Sequence, residues 1–195
     1  MKKLCLIILI SIAAFSCGPK KSNINTHFSA RALKKRKDDI DKISTKGTDS
    51  LLVFVKMTGR EQLVRIFNGK FPKDSIECTY NVLLKKGRPL MIMLSPYDES
   101  GDYDVDYRHY FYDDGHTFAF EKRANAFGDL PNDNVIRETT TNYYNDDFKR
   151  LKHSYKLVDY RNKPLGKEYA FDRGEYDNKT YPTAEACLQA YRIKL

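Results

Sequence analysis

The 195-residue sequence lacks the motifs that would identify an enzyme or a metalloprotein. It has no glycine-rich nucleotide loop, no nucleophile elbow and no His/Cys cluster at metal-ligand spacing. Its four cysteines include no Cys-x-x-Cys pair, so neither a thioredoxin-like nor a zinc-binding chain is indicated. The sequence therefore predicts a non-enzymatic protein without a metal or other cofactor.

No apolar run is long enough to span a bilayer as a helix. The longest, Leu4–Phe15, is interrupted only by Ser11 and has twelve residues, whereas a transmembrane helix needs about 20. Lys2 and Lys3 precede it, and small residues follow it. A charged start before a short apolar core is typical of a signal peptide, and we assign residues 1–16 to it.

The stretch from Ala14 to Cys17, Ala-Phe-Ser-Cys, resembles the lipobox of bacterial lipoproteins, and with the following Gly18 it is similar to the relaxed boxes of Bacteroidota. The resemblance implies acylation of Cys17, which leaves residues 17–23 as a lipidated tether. Gly18, in place of Asp, implies transfer to the outer membrane. The next residues lack an acidic export run, so we expect the periplasmic face, although surface exposure stays open.

The chain is basic, with a formal net charge of +8. Removal of residues 1–16 takes away two lysines, which leaves 32 − 26 = +6. Export to a compartment without regular nucleic-acid partners argues against nucleic acid as a partner. Apolar residues at helical spacing predict a basic amphipathic helix within residues 24–46, whose cations face either anionic head groups or solvent. The apolar positions are Ile24, Phe28, Ala32, Ile40 and Ile43, and the cations are Arg31, Lys34, Lys35, Arg36 and Lys37.

From residue 47 to residue 195 the pattern becomes alternating, with Gly, Asn and Asp at turn positions. Short connections require antiparallel neighbours, so we predict an α+β fold: a twisted antiparallel meander, open or curled into a half-barrel, with a helix near each end. The predicted strands are 50–57, 62–68, 76–84, 90–97, 103–112, 116–123, 135–144, 149–160 and 167–171.

Two hairpins have a predicted register. A two-residue turn at Asp114-Gly115 places Phe111 opposite Phe118, His109 opposite Phe120 and Arg108 opposite Glu121. A turn at Lys86-Gly87 places Leu83 opposite Leu90 and Val82 opposite Met91, and it puts Cys78 on one face with Tyr80, Val82, Met91 and Met93. Residues 90–94 are all apolar, which predicts a central strand covered on both faces.

The cover expected on one face is a C-terminal helix within residues 182–195. Its apolar stripe comprises Ala184, Cys187, Leu188, Tyr191 and Leu195. Because Cys78 and Cys187 are the cysteines that remain besides the lipidated one, and the periplasm is oxidising, we predict a Cys78–Cys187 disulfide.

Three aromatic-Asp segments resemble the hairpin repeats of MORN-like proteins and of periplasmic lipoproteins. They begin at Tyr110, Asn142 and Tyr169. Aromatic strands that end in Asp-Gly turns arise in any meander, so this resemblance implies no activity. Asp49-Ser50-Leu51 and Asp74-Ser75-Ile76 are similar to the O-glycosylation pattern of Bacteroidota periplasmic proteins, which requires Ser50 and Ser75 to be exposed.

Other candidate chemistry has a simpler interpretation in each case. The acidic run of Asp98, Glu99, Asp102, Asp104 and Asp106 does not match a calcium loop, because Gly101 precedes Asp102. His109 and His116 are too far apart in the predicted hairpin to share a metal ion. The many tyrosines follow from strand propensity.

The predicted function is that of a lipoprotein in the outer membrane that binds an envelope protein or component through its sheet. The alternative is a carrier whose curled sheet encloses a lipid or a glycan, with Met91 and Met93 lining the cavity. A third hypothesis, an enzyme acting on envelope polymers through Asp102, Asp104 or His109, has no motif to support it.

Overall fold

The computed structural model describes residues 29–46, 50–73, 75–127, 135–170 and 179–195. The predicted signal peptide, Cys17 and the predicted tether lie outside the described residues, as does His27. The elements are α1 (Ala30–Ser44), β1 (Leu51–Met57), β2 (Leu63–Ile66), β3 (Ile76–Lys85), β4 (Arg88–Pro96), β5 (Tyr103–Phe111), β6 (Thr117–Phe127), β7 (Val135–Tyr144), β8 (Arg150–Val158), a 3₁₀ turn (Lys167–Tyr169) and α2 (Ala184–Ala190). Neither helix of this described part is long and apolar enough to cross a membrane.

The strands form one antiparallel sheet in the order β2-β1-β3-β4-β5-β6-β7-β8. Consecutive strands are neighbours except β2 and β3, which are separated by β1 and both pair with it. The sheet is open, with β2 and β8 at its edges. The predicted α+β meander with two helices is therefore confirmed. The ninth predicted strand, 167–171, is wrong, because Lys167–Tyr169 form a 3₁₀ turn.

Helix α1 begins where Ser29 caps it. The Ser29 hydroxyl accepts a hydrogen bond from the Ala32 amide at 3.3 Å, which satisfies one of the free N–H groups of the first turn. The helix buries Leu33, Lys37 and Ile40 against the sheet. Of the predicted apolar stripe, Ile40 is buried but Ile43 is 39% exposed. The buried face therefore differs from the predicted one and has Lys37 at its centre.

The β5–β6 hairpin differs from its predicted register at the turn. Arg108 pairs with Glu121 and His109 with Phe120, as predicted, but Phe111 pairs with Thr117 because the register shifts after Tyr110. The loop has three residues and ends at Gly115, which has φ +91. The shift sends Phe111 and Phe118 to opposite faces, so their predicted pairing is wrong.

The β3–β4 hairpin also contains a shift. Its turn lies at Lys86-Gly87, as predicted, but Leu83 pairs with Met91 and Val82 pairs with Ile92. The irregularity falls next to Pro89, which has no N–H to donate to the ladder. The predicted pairs of Leu83 and Val82 are therefore wrong by one residue.

The same shift changes which residues share a face. Met91 and Met93 pack in the same hydrophobic cluster, which lies on the face of the sheet opposite Cys78. Cys78 lies instead in one cluster with Tyr80 and Val82, as predicted, and with Ile92.

The C-terminal segment covers one face, as predicted, although its helix is short. Helix α2 ends at Ala190, and Arg192 follows in the left-handed region at φ +56. The Ile193 amide then donates to the Leu188 carbonyl at 2.9 Å, which closes a Schellman-type cap. Ile193 is buried by this turn, whereas Leu195 is 55% exposed and does not belong to the packed stripe.

The two helices lie on opposite faces of the sheet, and strand β4 contributes to the cores beneath both, as its apolar sequence predicted. We call these the α1 face and the α2 face. The α1-face core comprises Leu33, Ile40, Leu83, Leu90, Met91, Tyr110, Tyr112, Phe118, Ala119 and Tyr143. The α2-face core is larger and includes Phe54, Cys78, Tyr80, Val82, Ile92, Leu94, Tyr107, Phe111, Phe120, Cys187, Tyr191 and Ile193.

Candidate functional site

A buried ion pair joins α1 to the sheet. The Lys37 ammonium lies 2.8 Å from Glu121 Oε2, and the two side chains are only 6% and 3% exposed. Glu121 also accepts a hydrogen bond from the Thr141 hydroxyl at 2.9 Å and pairs with Arg123. Charged groups at this depth are costly unless every one is paired, and here each has at least two partners.

Asp41, one turn after Lys37, extends the pair into a network. It binds the Lys37 ammonium and the Tyr110 hydroxyl at 2.9 and 2.7 Å, and Arg123 at 2.8 Å. Burial alone would raise the pKa of Asp41, but Lys37, Tyr110 and Arg123 outweigh it and hold its pKa below the ordinary value. Burial also raises the pKa of the Tyr110 hydroxyl well above its ordinary value, so this hydroxyl keeps its proton and donates to the carboxylate.

Strand β5 completes the network with Arg108 and Asp106. Arg108 binds Asp106 at 2.6 Å, and Asp106 accepts a hydrogen bond from Ser95 at 2.6 Å. The network thus contains three cations, Lys37, Arg108 and Arg123, and three carboxylates, Asp41, Asp106 and Glu121. It is electrically neutral, and it holds both guanidinium groups in place.

These guanidinium groups border a cleft on the α1 face, which we call the basic cleft. Its volume is about 520 Å³, and it is lined by Asp106, Arg108, Arg123, Asn125, Val135, Arg137, Thr139, Lys156, Val158 and Asn162. Asn125 donates a hydrogen bond from its side-chain amide to Asp104 at 2.6 Å. Within the described residues, Arg137 and Lys156 have no acidic partner. The cleft therefore has an excess of positive charge.

Neighbouring strands bring these two cations together. Arg137 pairs with Val158, and Thr139 pairs with Lys156, so Arg137 and Lys156 are diagonal neighbours on one face. Diagonal neighbours on a sheet are roughly 7–8 Å apart, which long side chains span. The buried Nε of Arg108 has no hydrogen-bond partner among the described residues. Chemically, this arrangement fits an oxyanion.

The predicted acidic run does not converge on one point. Asp98 accepts from the Ser100 hydroxyl, Asp104 from Asn125, and Asp106 from Ser95 and Arg108. In the part of the chain that the structure describes, no three His, Cys, Asp or Glu side chains are grouped closely enough to hold a metal ion. His109 lies in the α2-face core, whereas Asp104 and Asp106 belong to the α1 face, so the fold does not bring His109 together with either carboxylate.

The histidines occupy separate environments. His109 is fully buried, with its ring against Phe111, Phe120, Tyr181 and Tyr191. His116 lies at the exposed β5–β6 turn beside Asp114 at 3.2 Å.

Cys78 and Cys187 both lie in the α2-face core, as the predicted meeting of their surfaces requires. The structure contains both as buried free thiols, so the predicted disulfide is not formed in it. Burial raises the pKa of each thiol, which keeps both protonated and poorly reactive in the folded state.

Most of the tyrosines noted in the β region are core residues. Tyr107, Tyr110, Tyr112, Tyr143 and Tyr144 are buried, whereas Tyr155 and Tyr160 are exposed. The packing of the first group supports strand propensity and burial as the reason for their number. Ser50 and Ser75 are both exposed just before a strand, which is the condition that the glycosylation pattern requires.

The sequence interpretation missed the ion network, although two signals pointed to it. Lys37 follows Leu33 by four residues and precedes Ile40 by three, which places it on the buried stripe of the helix. Asp41, four residues after Lys37, is spaced for an ion pair on the same side. The cross-strand pairing of Arg108 with Glu121 was predicted correctly, but their place in a network with Lys37 and Asp41 was not.

Comparisons of the chain with protein-family models, with curated protein sequences and with solved structures found no match. The resemblances to Bacteroidota lipoproteins and to MORN-like repeats therefore stay predictions. Of the three repeat-like segments, those at Tyr110 and Asn142 end strands β5 and β7 at a turn, as a hairpin repeat would. The third begins within the 3₁₀ turn and continues outside the described residues.

Proposed function

We propose that this protein is a non-enzymatic lipoprotein, anchored to the outer membrane through acylated Cys17, whose sheet binds an anionic envelope component in the basic cleft. The observation that carries the proposal is that four cations line one cleft. Arg108 and Arg123 are held there by ion pairs, whereas Arg137 and Lys156 have no acidic partner among the described residues. Planar guanidinium groups suit bidentate contacts with phosphate or carboxylate.

The rigidity of the site favours binding. Arg108 and Arg123 have their side chains positioned by Asp41, Asp106 and Glu121, so little conformational entropy remains to be lost when a ligand arrives. Arg137 and Lys156 then supply charge that the network does not neutralise. The carrier alternative has less support, because the sheet is open and both of its faces carry packed cores beneath the helices, with Met91 and Met93 packed in one of them.

The anchor is tested by the intact mass of the protein purified from its own membranes. We expect the chain to begin at Cys17 and to carry the mass of acyl chains, since two or more chains are needed for stable attachment. Cys17→Ser should release the protein from the membrane. An unmodified mass, or a Cys17→Ser form that stays bound, would contradict the anchor.

The cleft is tested separately on the mature chain, residues 17–195, carrying Cys17→Ala. Inorganic phosphate and glucuronate, titrated by calorimetry or NMR, distinguish phosphate from carboxylate as the recognised group. We expect Arg137→Gln/Lys156→Gln to weaken binding about 10-fold or more, because each charge-assisted hydrogen bond contributes about 1.5–3 kcal/mol.

The matched control is Lys70→Gln/Lys73→Gln, which removes two exposed lysines of the β2–β3 connection. This variant changes the net charge equally and should bind as the parent does. Equal affinity of the cleft variant and the control variant, or no binding of either probe by the parent, would contradict the proposal.

A further inference from the structure

A second basic surface lies on the opposite side of α1 from the basic cleft. It consists of two adjoining clefts of about 380 and 370 Å³, which share Lys85, Leu90 and Asp113. We call it the turn surface, because the β3–β4 turn and the β5–β6 turn border it. Its charged residues are five cations, Lys35, Arg36, Lys85, Lys86 and Arg88, and two carboxylates, Asp39 and Asp113.

Three of the five cations are engaged within the protein. Arg36 forms an ion pair with Asp113, whose backbone carbonyl accepts a hydrogen bond from Arg88 at 3.0 Å. Lys35 lies 3.2 Å from Asp39. In contrast, Lys85 and Lys86 are exposed and have no acidic partner within the described residues. The excess positive charge of the turn surface is therefore concentrated at the tip of the β3–β4 hairpin.

The backbone at this tip is unfavourable for a lysine. Lys86 has φ +51 and Gly87 has φ +76, the left-handed pair of a two-residue hairpin turn. Asn and Gly adopt the first of these positions with less strain than a long side chain does. Lys86 thus places a charged side chain at the tip at the expense of turn stability. Backbone strain of this kind is concentrated at functional positions.

We propose that the turn surface docks on the anionic phospholipid head groups of the membrane that holds Cys17. This inference rests on the lipid anchor proposed above. The segment from Cys17 to Ser29 spans at most about 40 Å when extended, so the anchor alone keeps the domain near the bilayer without choosing which side faces it. The exposed lysines at the tip of the β3–β4 hairpin favour the turn surface as that side, because each basic residue near an anionic surface is attracted to it.

An apolar side chain lies beside these cations. Ile43 of α1 is 39% exposed and borders the turn surface together with Lys85. Basic residues next to an exposed apolar side chain are the combination that binds the head-group region of a membrane. Lys37 and Asp41 leave α1 on its other side, toward the basic cleft. Docking through the turn surface therefore keeps the basic cleft open to solvent.

The test uses the mature chain with Cys17→Ala, which retains every described residue but cannot be acylated. Its flotation is measured with vesicles of equimolar phosphatidylcholine and phosphatidylglycerol, and with phosphatidylcholine alone. We expect binding to the anionic vesicles only, weakened by added salt. Lys85→Gln/Lys86→Gln should reduce the affinity about 30-fold, whereas Lys70→Gln/Lys73→Gln should leave it close to that of the parent.

A second variant separates membrane contact from folding. Lys86→Asn places a favoured residue in the left-handed position, so it should raise Tm while it lowers vesicle affinity about 5-fold. Equal binding by the Lys85→Gln/Lys86→Gln variant and the parent, equal binding to both kinds of vesicle, or no binding of the parent would overturn the inference. Failure of the anchor would appear instead in the intact mass, and failure of the basic cleft in the phosphate and glucuronate titrations.

Discussion

Under α2 the sheet is covered by aromatic and aliphatic side chains, whereas under α1 an ion network lies beside the apolar core. On the α2 face Tyr191 packs against Tyr80 at a ring-centroid distance of 5.1 Å, and His109 is enclosed by aromatic rings. On the α1 face, Lys37, Asp41 and Glu121 occupy positions that an apolar side chain would fill at lower desolvation cost.

The difference between the faces separates stability from recognition. The hydrophobic effect does not depend on the direction in which side chains meet, so the α2 face stabilises the fold through buried apolar area alone. A buried ion network contributes little net stability, but it holds charged groups in fixed positions. On the α1 face the groups held in this way, Arg108 and Arg123, are the ones that reach the basic cleft.

The largest expected effect is on the α2 face. Phe111→Ala removes a fully buried ring from the α2-face core and should lower the free energy of unfolding by about 3–5 kcal/mol, since the lost burial and the new cavity add. Urea unfolding measures it. The control Phe67→Ala removes a ring that is 61% exposed and should stay within about 0.5 kcal/mol of the parent. Similar losses for both variants would mean that Phe111 does not occupy a packed core.

An intermediate effect is expected on the α1 face. Lys37→Met and Glu121→Gln should each cost about 3 kcal/mol, because either one removes a charge from a neutral buried network and leaves an opposite charge uncompensated. The free energy lost by the double variant should be smaller than the sum of the two single losses by at least about 1 kcal/mol.

The exposed pair Lys35 and Asp39 is the control for this cycle. Lys35→Met and Asp39→Asn should show a coupling below about 0.5 kcal/mol, as exposed helix pairs do. Additive losses for Lys37→Met and Glu121→Gln would indicate that these side chains do not interact in solution, and the distinction between the two faces would then lose its basis.

The smallest expected effect concerns the thiols, and it tests how dry the α2 face is. Alkylation mapped by mass spectrometry should leave Cys78 and Cys187 unlabelled in the folded chain, because both are buried and burial raises their pKa. In denaturant without a reductant, both should be labelled if the thiols are free as in the structure. Labelling only after reduction would instead support the disulfide that the sequence predicted.

The correct sequence predictions are those that depend on local patterns. The strands from β3 to β8 pair in chain order, as short connections require, and Lys86-Gly87 forms the predicted turn because Gly87 adopts the left-handed conformation without strain. The central, doubly covered strand follows from the unbroken apolar run at residues 90–94. The ends of β7 were predicted to the residue, since turn-forming residues flank it on both sides.

The incorrect predictions concern which face of the sheet each apolar side chain occupies. A shift next to Phe118 sends that ring under α1 while Phe111 stays under α2, and a shift near Pro89 moves Met91 to the α1 face. A strand has a period of two, so one extra residue exchanges the faces of everything beyond it. Local sequence does not contain the information that selects between the two packings.

By itself, the sequence determined the class of fold, the sequence of strands and turns, and the presence of a basic helix before the sheet, because periodicity and turn chemistry act over a few residues. Only the tertiary structure decided that Lys37 meets Glu121, 84 residues further along the chain, and that Arg137 and Lys156 join Arg108 and Arg123 at one cleft. The physical reason is that charge pairing depends on distance in space, which the folded sheet and the helix across it establish together.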